Sequence, residues 1–140
     1  MLKKLVLFVL LMVTSYGHPL SIITNNAGNI KYDENNNWKG QTGSYKGFCT
    51  FSDKRYGLRA MALVIKANIE VTSTVEEFVL RYASEPDETI HSENIRNYAR
   101  AIRKHLGKDF IVQQDIALLM PIMVELEGAQ LAKEYFYEKK

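Results

Sequence analysis

Beyond Tyr56 the apolar residues of this 140-residue chain recur at three- and four-residue steps, whereas residues 18–47 have no such period and are crowded with Asn and Gly. A sustained helical period builds helices. Clustered Asn and Gly build turns, because both tolerate left-handed backbone angles. Between the two regimes, after Gly47, Phe48-Cys49-Thr50-Phe51 is a short strand candidate closed by Ser52-Asp53. The expected fold is therefore α+β and mainly α, a small irregular or β N-terminal lobe packed on a four-helix lobe. Two-lobed domains of this kind usually bind their ligand where the lobes meet.

The helices can be placed individually. Tyr56 to Asn68 carries Leu58, Met61, Ala62 and Ile65 on one face. Thr74-Val75-Glu76-Glu77 matches a capping box and opens a helix with Val75, Phe78, Val79 and Tyr82. Ser84 to Thr89, with Pro86 inside, reads as a loop. A third helix starts at Ser92, presents Ile95, Tyr98, Ala99 and Ile102, and stops at Leu106-Gly107. The fourth begins near Asp115 and passes through Ile116, Leu119, Met120, Met123 and Leu126 toward Tyr135. There is no internal repeat, heptad register or low-complexity tract.

With 46% hydrophobic residues, 3 Pro and 8 Gly, the chain is neither disordered nor collagen-like, and its length suits one domain. Lys3 and Lys4 precede a nine-residue apolar run, Leu5 to Val13, and Ser15-Tyr16-Gly17 supplies small residues before a cut after Gly17. Residues 1–17 are thus expected to be a signal peptide and 18–140 one domain, secreted or periplasmic. A bilayer-spanning helix needs about 20 apolar residues, so no stable membrane span is expected after cleavage. Eighteen Lys and Arg stand against sixteen Asp and Glu, and without the two N-terminal lysines the balance is even. That neutrality argues against a nucleic-acid binder, which needs a basic face. Cys49 is the only cysteine, so no disulfide framework exists.

Few chemistries fit the residue spacing. His18, His91 and His105 are scattered, no zinc-ligand spacing occurs, and Gly-rich phosphate loops are absent, so no metal and no cofactor is expected. Cys49 could pair with a histidine as a nucleophile, yet between Phe48 and Phe51 it reads more simply as a small buried hydrophobe. The informative stretch is Asn25-Asn26-Ala27-Gly28-Asn29-Ile30-Lys31, then Trp38-Lys39-Gly40, then Phe48 to Asp53, then Tyr56-Gly57-Leu58-Arg59-Ala60. A polar turn followed by aromatics can bind a sugar, whose hydroxyls suit Asn and whose flat apolar faces suit aromatic rings. On composition alone the same residues read more simply as a turn and a core, with no ligand at all.

These ordered motifs resemble a family of phage virion-associated structural proteins marked by N-N-P-G-N-I-R. The likeness continues through Tyr82-Ala83-Ser84, Asn97-Tyr98-Ala99 and Met123-Val124-Glu125-Leu126-Glu127-Gly128, and so covers nearly all of 18–140. Ala27 replaces the family's Pro, and Glu127-Gly128 stands where the family ends in E-N-G or E-G-G. That family is in turn similar to the lysozyme-like superfamily. Flagellar-type glucosaminidases carry N-L-F-G-I-K, an aromatic strand and a helix in the same order, and Asn97-Tyr98-Ala99 is similar to the N-Y-V helix of lytic transglycosylases. The resemblance implies a peptidoglycan-cleaving glycosidase, with glycan strands as its ligand. It also makes a secretion or virion-assembly protein a candidate partner.

In glucosaminidases the helix bearing the acidic Glu precedes the N-L-F-G-I-K turn. Here only His18 to Thr24 lies between the expected cut and Asn25, and it holds no Asp or Glu. An acid must come from elsewhere, and the last helix offers Glu127 or, alternatively, Glu125. A lysozyme-like core whose first helix has moved to the end of the chain would supply it. Glycosidic cleavage needs one protonated carboxyl for the leaving oxygen, and Met123, Val124 and Leu126 could form the apolar wall that favours protonation. Glu125 and Glu127 lie roughly 200° apart on a helix and cannot share a site. If Leu119, Met123 and Leu126 mark the buried face, neither glutamate lies at its centre, and both read as surface charges. Gly128 favours Glu127, since it could end or bend the helix there.

The expected site is Glu127 as acid, with Asn25, Asn26, Asn29, Tyr32, Trp38 and Tyr98 lining a sugar groove. Asp33, Glu34 and Asp53 are candidate second carboxylates that also read as turn and cap residues. Two rivals stand beside this expectation: a non-catalytic glycan-binding or phage-derived virion module, and a cysteine-dependent amidase or peptidase.

Overall fold

The computed structural model describes residues 19–138, with side chains over 20–128. The signal segment expected at 1–17 lies outside the described residues. In chain order the elements are α1 (Pro19–Thr24), β1 (Gln41–Tyr45), β2 (Phe48–Phe51), α2 (Lys54–Ile69), α3 (Val75–Ala83), α4 (Glu93–Leu106), a 3-10 turn (Gln113–Asp115) and α5 (Ile116–Glu138). The fold is α+β and mainly helical, with one two-stranded antiparallel sheet among the described residues. Its described residues divide into two compact units, one formed by those up to Met61 together with those from Val124 onward, the other by 62–123.

The first unit is built on a hairpin. Tyr45 pairs with Phe48 across a two-residue turn, Lys46-Gly47. Both turn residues have positive φ, 50° and 85°, the conformation whose twist matches that of paired strands. Alternation along β2 turns Cys49 and Phe51 inward, where they cluster with Ala60 of α2 and with Ile30, Trp38 and Tyr56. Residues 30–32 run along the other edge of β2. The Cys49 N–H donates to the Ile30 carbonyl at 3.0 Å, and the Tyr32 N–H donates to the Gly47 carbonyl at 2.8 Å. The turn-rich segment is thereby tied to the sheet.

The second unit is helical. Thr74 caps α3, its hydroxyl accepting from the Glu77 N–H at 3.2 Å. The reciprocal half of the capping box is displaced by one residue, because the Glu77 carboxylate accepts from the Ser73 N–H at 2.8 Å. Val75, Phe78 and Val79 are buried, and the Phe78 and Tyr82 rings stack at 5.8 Å. Helix α4 buries Ile95, Ala99 and Ile102 and ends at Gly107, whose φ of 73° lets its N–H reach the Arg103 carbonyl at 2.7 Å. Asp115 caps the turn into α5: its carboxylate accepts from the Val112 N–H at 2.8 Å and from Lys108 Nζ at 2.7 Å.

Three elements differ from the sequence reading. Residues 19–24 form helix α1, where only turns were expected; its Ile22 and Ile23 are 69% and 61% exposed, so no apolar face announces it. Strand β1, Gln41-Thr42-Gly43-Ser44-Tyr45, is largely exposed and carries no apolar alternation. Helix α5 continues through Gly128 to Glu138, so that glycine does not end it. Among the described residues no helix is long and apolar enough to cross a membrane.

Candidate functional site

The Asn-rich turn is held by its own side chains. Thr24 ends α1 by donating its hydroxyl to the Leu20 carbonyl at 2.6 Å. Asn25 and Asn29 take φ of 54° and 51°, the left-handed region that Asn tolerates best after Gly. The Asn25 amide donates to the Phe51 carbonyl at 2.9 Å and locks the turn to the end of β2. Asn26 is buried. Its Nδ2 donates to the carbonyls of Ile30 at 2.9 Å and Cys49 at 3.1 Å, and its Oδ1 accepts from the Ile30 N–H at 3.0 Å. Asn26 therefore shapes the turn rather than offering its amide to a ligand, as the turn-and-core reading of the sequence had it.

Gly57 lets this turn lie against α2. A Cβ at Gly57 would overlap the Asn25 carbonyl oxygen. In the sequence Gly57 stands inside Tyr56-Gly57-Leu58-Arg59-Ala60 with no expected role of its own. A glycine in the first turn of an otherwise strong helical stretch was the available signal, since such a residue weakens a helix unless close packing requires it.

Glu127 reaches the turn from the other end of the chain. Asn29 Nδ2 donates to Glu127 Oε2 and to the Glu127 main-chain carbonyl, each at 3.4 Å, the long end of the hydrogen-bond range. Ser21 Oγ on α1 donates to Asn29 Oδ1 at 3.4 Å, which orients the amide with its nitrogen toward Glu127. Glu127 is only 8% exposed. The sequence reading put the buried face of this helix through Leu126 and left Glu127 at its margin. In the fold Leu126 is half-buried, and the buried positions run Leu119, Met123, Glu127 in steps of four, with Gly128 beside the last. Glu125, about 200° around the helix, is half-buried.

The other expected site residues fall in different places. Trp38 is half-buried against the Cys49, Phe51 and Ala60 cluster, and its Nε1 is buried without an acceptor among the described residues. Tyr32 is 46% exposed beside the hairpin turn. Tyr98 lies half-buried on α4, in the second unit. Asn25, Asn26 and Asn29 share one turn, and Asn29 alone of the three bonds to Glu127.

The candidate second carboxylates serve local turns. Asp33 accepts from the Asn35 backbone and side-chain nitrogens at 2.9 and 3.1 Å. Asp53 accepts from the Arg55 N–H at 2.8 Å and from its guanidinium at 3.1 Å, and these two bonds hold its carboxyl below the usual range. Glu34 is exposed. Cys49 is fully buried and burial pushes its thiol up, against activation as a nucleophile. Among the described residues no cluster of three His, Cys, Asp or Glu could hold a metal ion. The chain matches no protein-family model, and it matches no curated protein.

Proposed function

We propose that this chain is an exported, phage-related, lysozyme-like domain that cleaves peptidoglycan glycan strands, with Glu127 as the proton donor. One observation carries the reading: a carboxyl side chain 8% exposed lies against the Asn25–Ile30 turn and takes a hydrogen bond from Asn29. Burial works against the charge of a carboxylate and in favour of the protonated acid that a leaving glycosidic oxygen needs. The Asn29 amide orients the carboxyl by donating to its Oε2.

The lytic transglycosylase version is preferred, because it needs a single carboxyl. Glu127 protonates the departing oxygen, and the carboxylate this leaves takes the proton of the sugar hydroxyl that attacks the anomeric carbon, so that an anhydro sugar forms and the acid is restored. A hydrolase would need a second carboxylate to activate water, and Asp33 and Asp53 are occupied by turn bonds. The permuted lysozyme-like architecture fits an α1 without acids and a glutamate on the last helix.

The rival is a glycan-binding or virion structural module, and its structural form draws support from Asn26, whose amide bonds backbone groups. Incubation of the mature protein with peptidoglycan sacculi, followed by mass analysis of soluble fragments, separates the readings. Anhydro-sugars support the transglycosylase and reducing-end sugars a hydrolase. Binding without fragments supports the module, and free stem peptides would refute all three.

A further inference from the structure

The charges of residues 62–123 are unevenly distributed. Seven Lys and Arg stand against nine Asp and Glu, so this stretch is slightly acidic, yet Arg96, Arg100, Arg103 and Lys104 all lie on α4. Arg103 is engaged, reaching Glu76 at 3.1 Å and Asp109 at 3.6 Å. Arg96, Arg100 and Lys104 are exposed and form no ion pair among the described residues; the Arg100 guanidinium bonds only the neutral Asn97 side chain, at 3.3 Å.

These three cations recur every four residues, on a face turned away from buried Ile95, Ala99 and Ile102. Four residues of helix rise about 6 Å and turn about 400°, so the charges form a row roughly 12 Å long that winds about 80° around the helix. Like charges at this spacing disfavour a helix; Glu93 lies one turn before Arg96 and Lys104 sits in the last turn, where the helix dipole favours a cation, but no carboxylate pairs with any of the three among the described residues. A row of evenly spaced cations, two of them planar guanidinia suited to bidentate phosphate contacts, complements a linear polymer with one phosphate per repeat.

We propose that the Arg96–Arg100–Lys104 face of α4 docks the protein on a phosphodiester polymer of the cell envelope. The choice of an envelope polymer rests on the exported, wall-acting reading above.

The test measures binding of fluorescently labelled poly(glycerol phosphate) teichoic acid by anisotropy, at low and at physiological salt. The wild-type protein should bind with salt-dependent affinity. The variant R96Q/R100Q/K104Q should lose about tenfold or more while keeping its circular dichroism spectrum, and Arg100→Glu alone should weaken binding more than Arg100→Gln. Absence of wild-type binding, equal binding by the triple variant, or equally tight wild-type binding to an oligothymidylate of matched charge would each overturn the proposal. Digestion of sacculi stripped of such polymers reports on the glycosidase reading separately, and the triple variant should digest them at the wild-type rate.

Discussion

Asn29 and Glu127, 98 positions apart in the chain, meet through one amide: Asn29 Nδ2 donates to both the carboxylate and the main-chain carbonyl of Glu127, at 3.4 Å each. This contact joins the Asn-rich turn to the last helix within one compact unit. Asn29 also has a φ of 51°, so substitutions separate its two roles. Asn29→Gly should lose only the hydrogen bonds, about 1 kcal/mol. Asn29→Ala should lose the bonds and add left-handed strain, about 2 kcal/mol together. Asn29→Asp should be the least stable at neutral pH, because it replaces the donating amide with a carboxylate facing the Glu127 main-chain carbonyl, and should recover as acid protonates that new carboxylate, below about pH 4. Urea denaturation across pH reads all three; an Asn29→Ala variant as stable as Asn29→Gly would remove the strain argument.

Gly57 gives a prediction whose sign is diagnostic. In an unencumbered helix, Gly→Ala stabilises by up to about 1 kcal/mol. Here the new Cβ would overlap the Asn25 carbonyl, so Gly57→Ala should instead cost about 2 kcal/mol or more. A rise in melting temperature on this substitution would show that the turn does not press on α2.

Asp115 ties stability to acid pH. Desolvation raises its carboxyl, but the hydrogen bonds from Lys108 and the Val112 N–H outweigh it and hold the group below 3.8, its ordinary value. A depressed carboxyl contributes stability that is fully present above the unfolded value and is lost as pH falls through the folded one. The wild-type protein should therefore lose this contribution below about pH 4. Asp115→Asn should be less stable at neutral pH and show a flatter acid limb in pH-dependent melting. Parallel limbs for the two proteins would contradict the assignment.

Cys49 is predicted to be structural. Its thiol is buried and pushed up by that burial, and Sγ donates weakly to the Lys31 carbonyl at 3.5 Å. Alkylation of the native protein at pH 8 should be far slower than that of the urea-unfolded chain. Cys49→Ala should cost about 1 to 2 kcal/mol and leave sacculus digestion intact. Loss of digestion in a folded Cys49→Ala variant would instead revive the cysteine-dependent amidase.

Much of the fold was legible in the sequence where apolar residues keep time with a helix. Thr74 as a cap, Ile95, Ala99 and Ile102 as a buried face, and Gly107 as a stop all follow from local chemistry. Strand β1 and helix α1 were illegible because their exposed faces carry no apolar rhythm: Ile22 and Ile23 point outward, and Gln41 to Tyr45 is polar. The meeting of Asn29 and Glu127 was legible only as a requirement that some late acid reach the turn. Gly128, expected to end or bend the helix, does not end it, since the helix runs on to Glu138. Position 127 is buried because it follows Leu119 and Met123 in steps of four, a face that a polar residue conceals from any hydrophobic count. Asn26 looked like a ligand residue and is a brace, since a side chain that can bond sugar hydroxyls can equally bond backbone amides.

Glu127→Gln keeps the size of the side chain and an oxygen to accept the Asn29 amide, while removing the transferable proton. Fragment release from peptidoglycan sacculi, measured for this variant beside the wild type under conditions where both are folded, is the most direct measurement. The account predicts a loss of about a hundredfold or more. Release at the wild-type rate would show that Glu127 is not the acid.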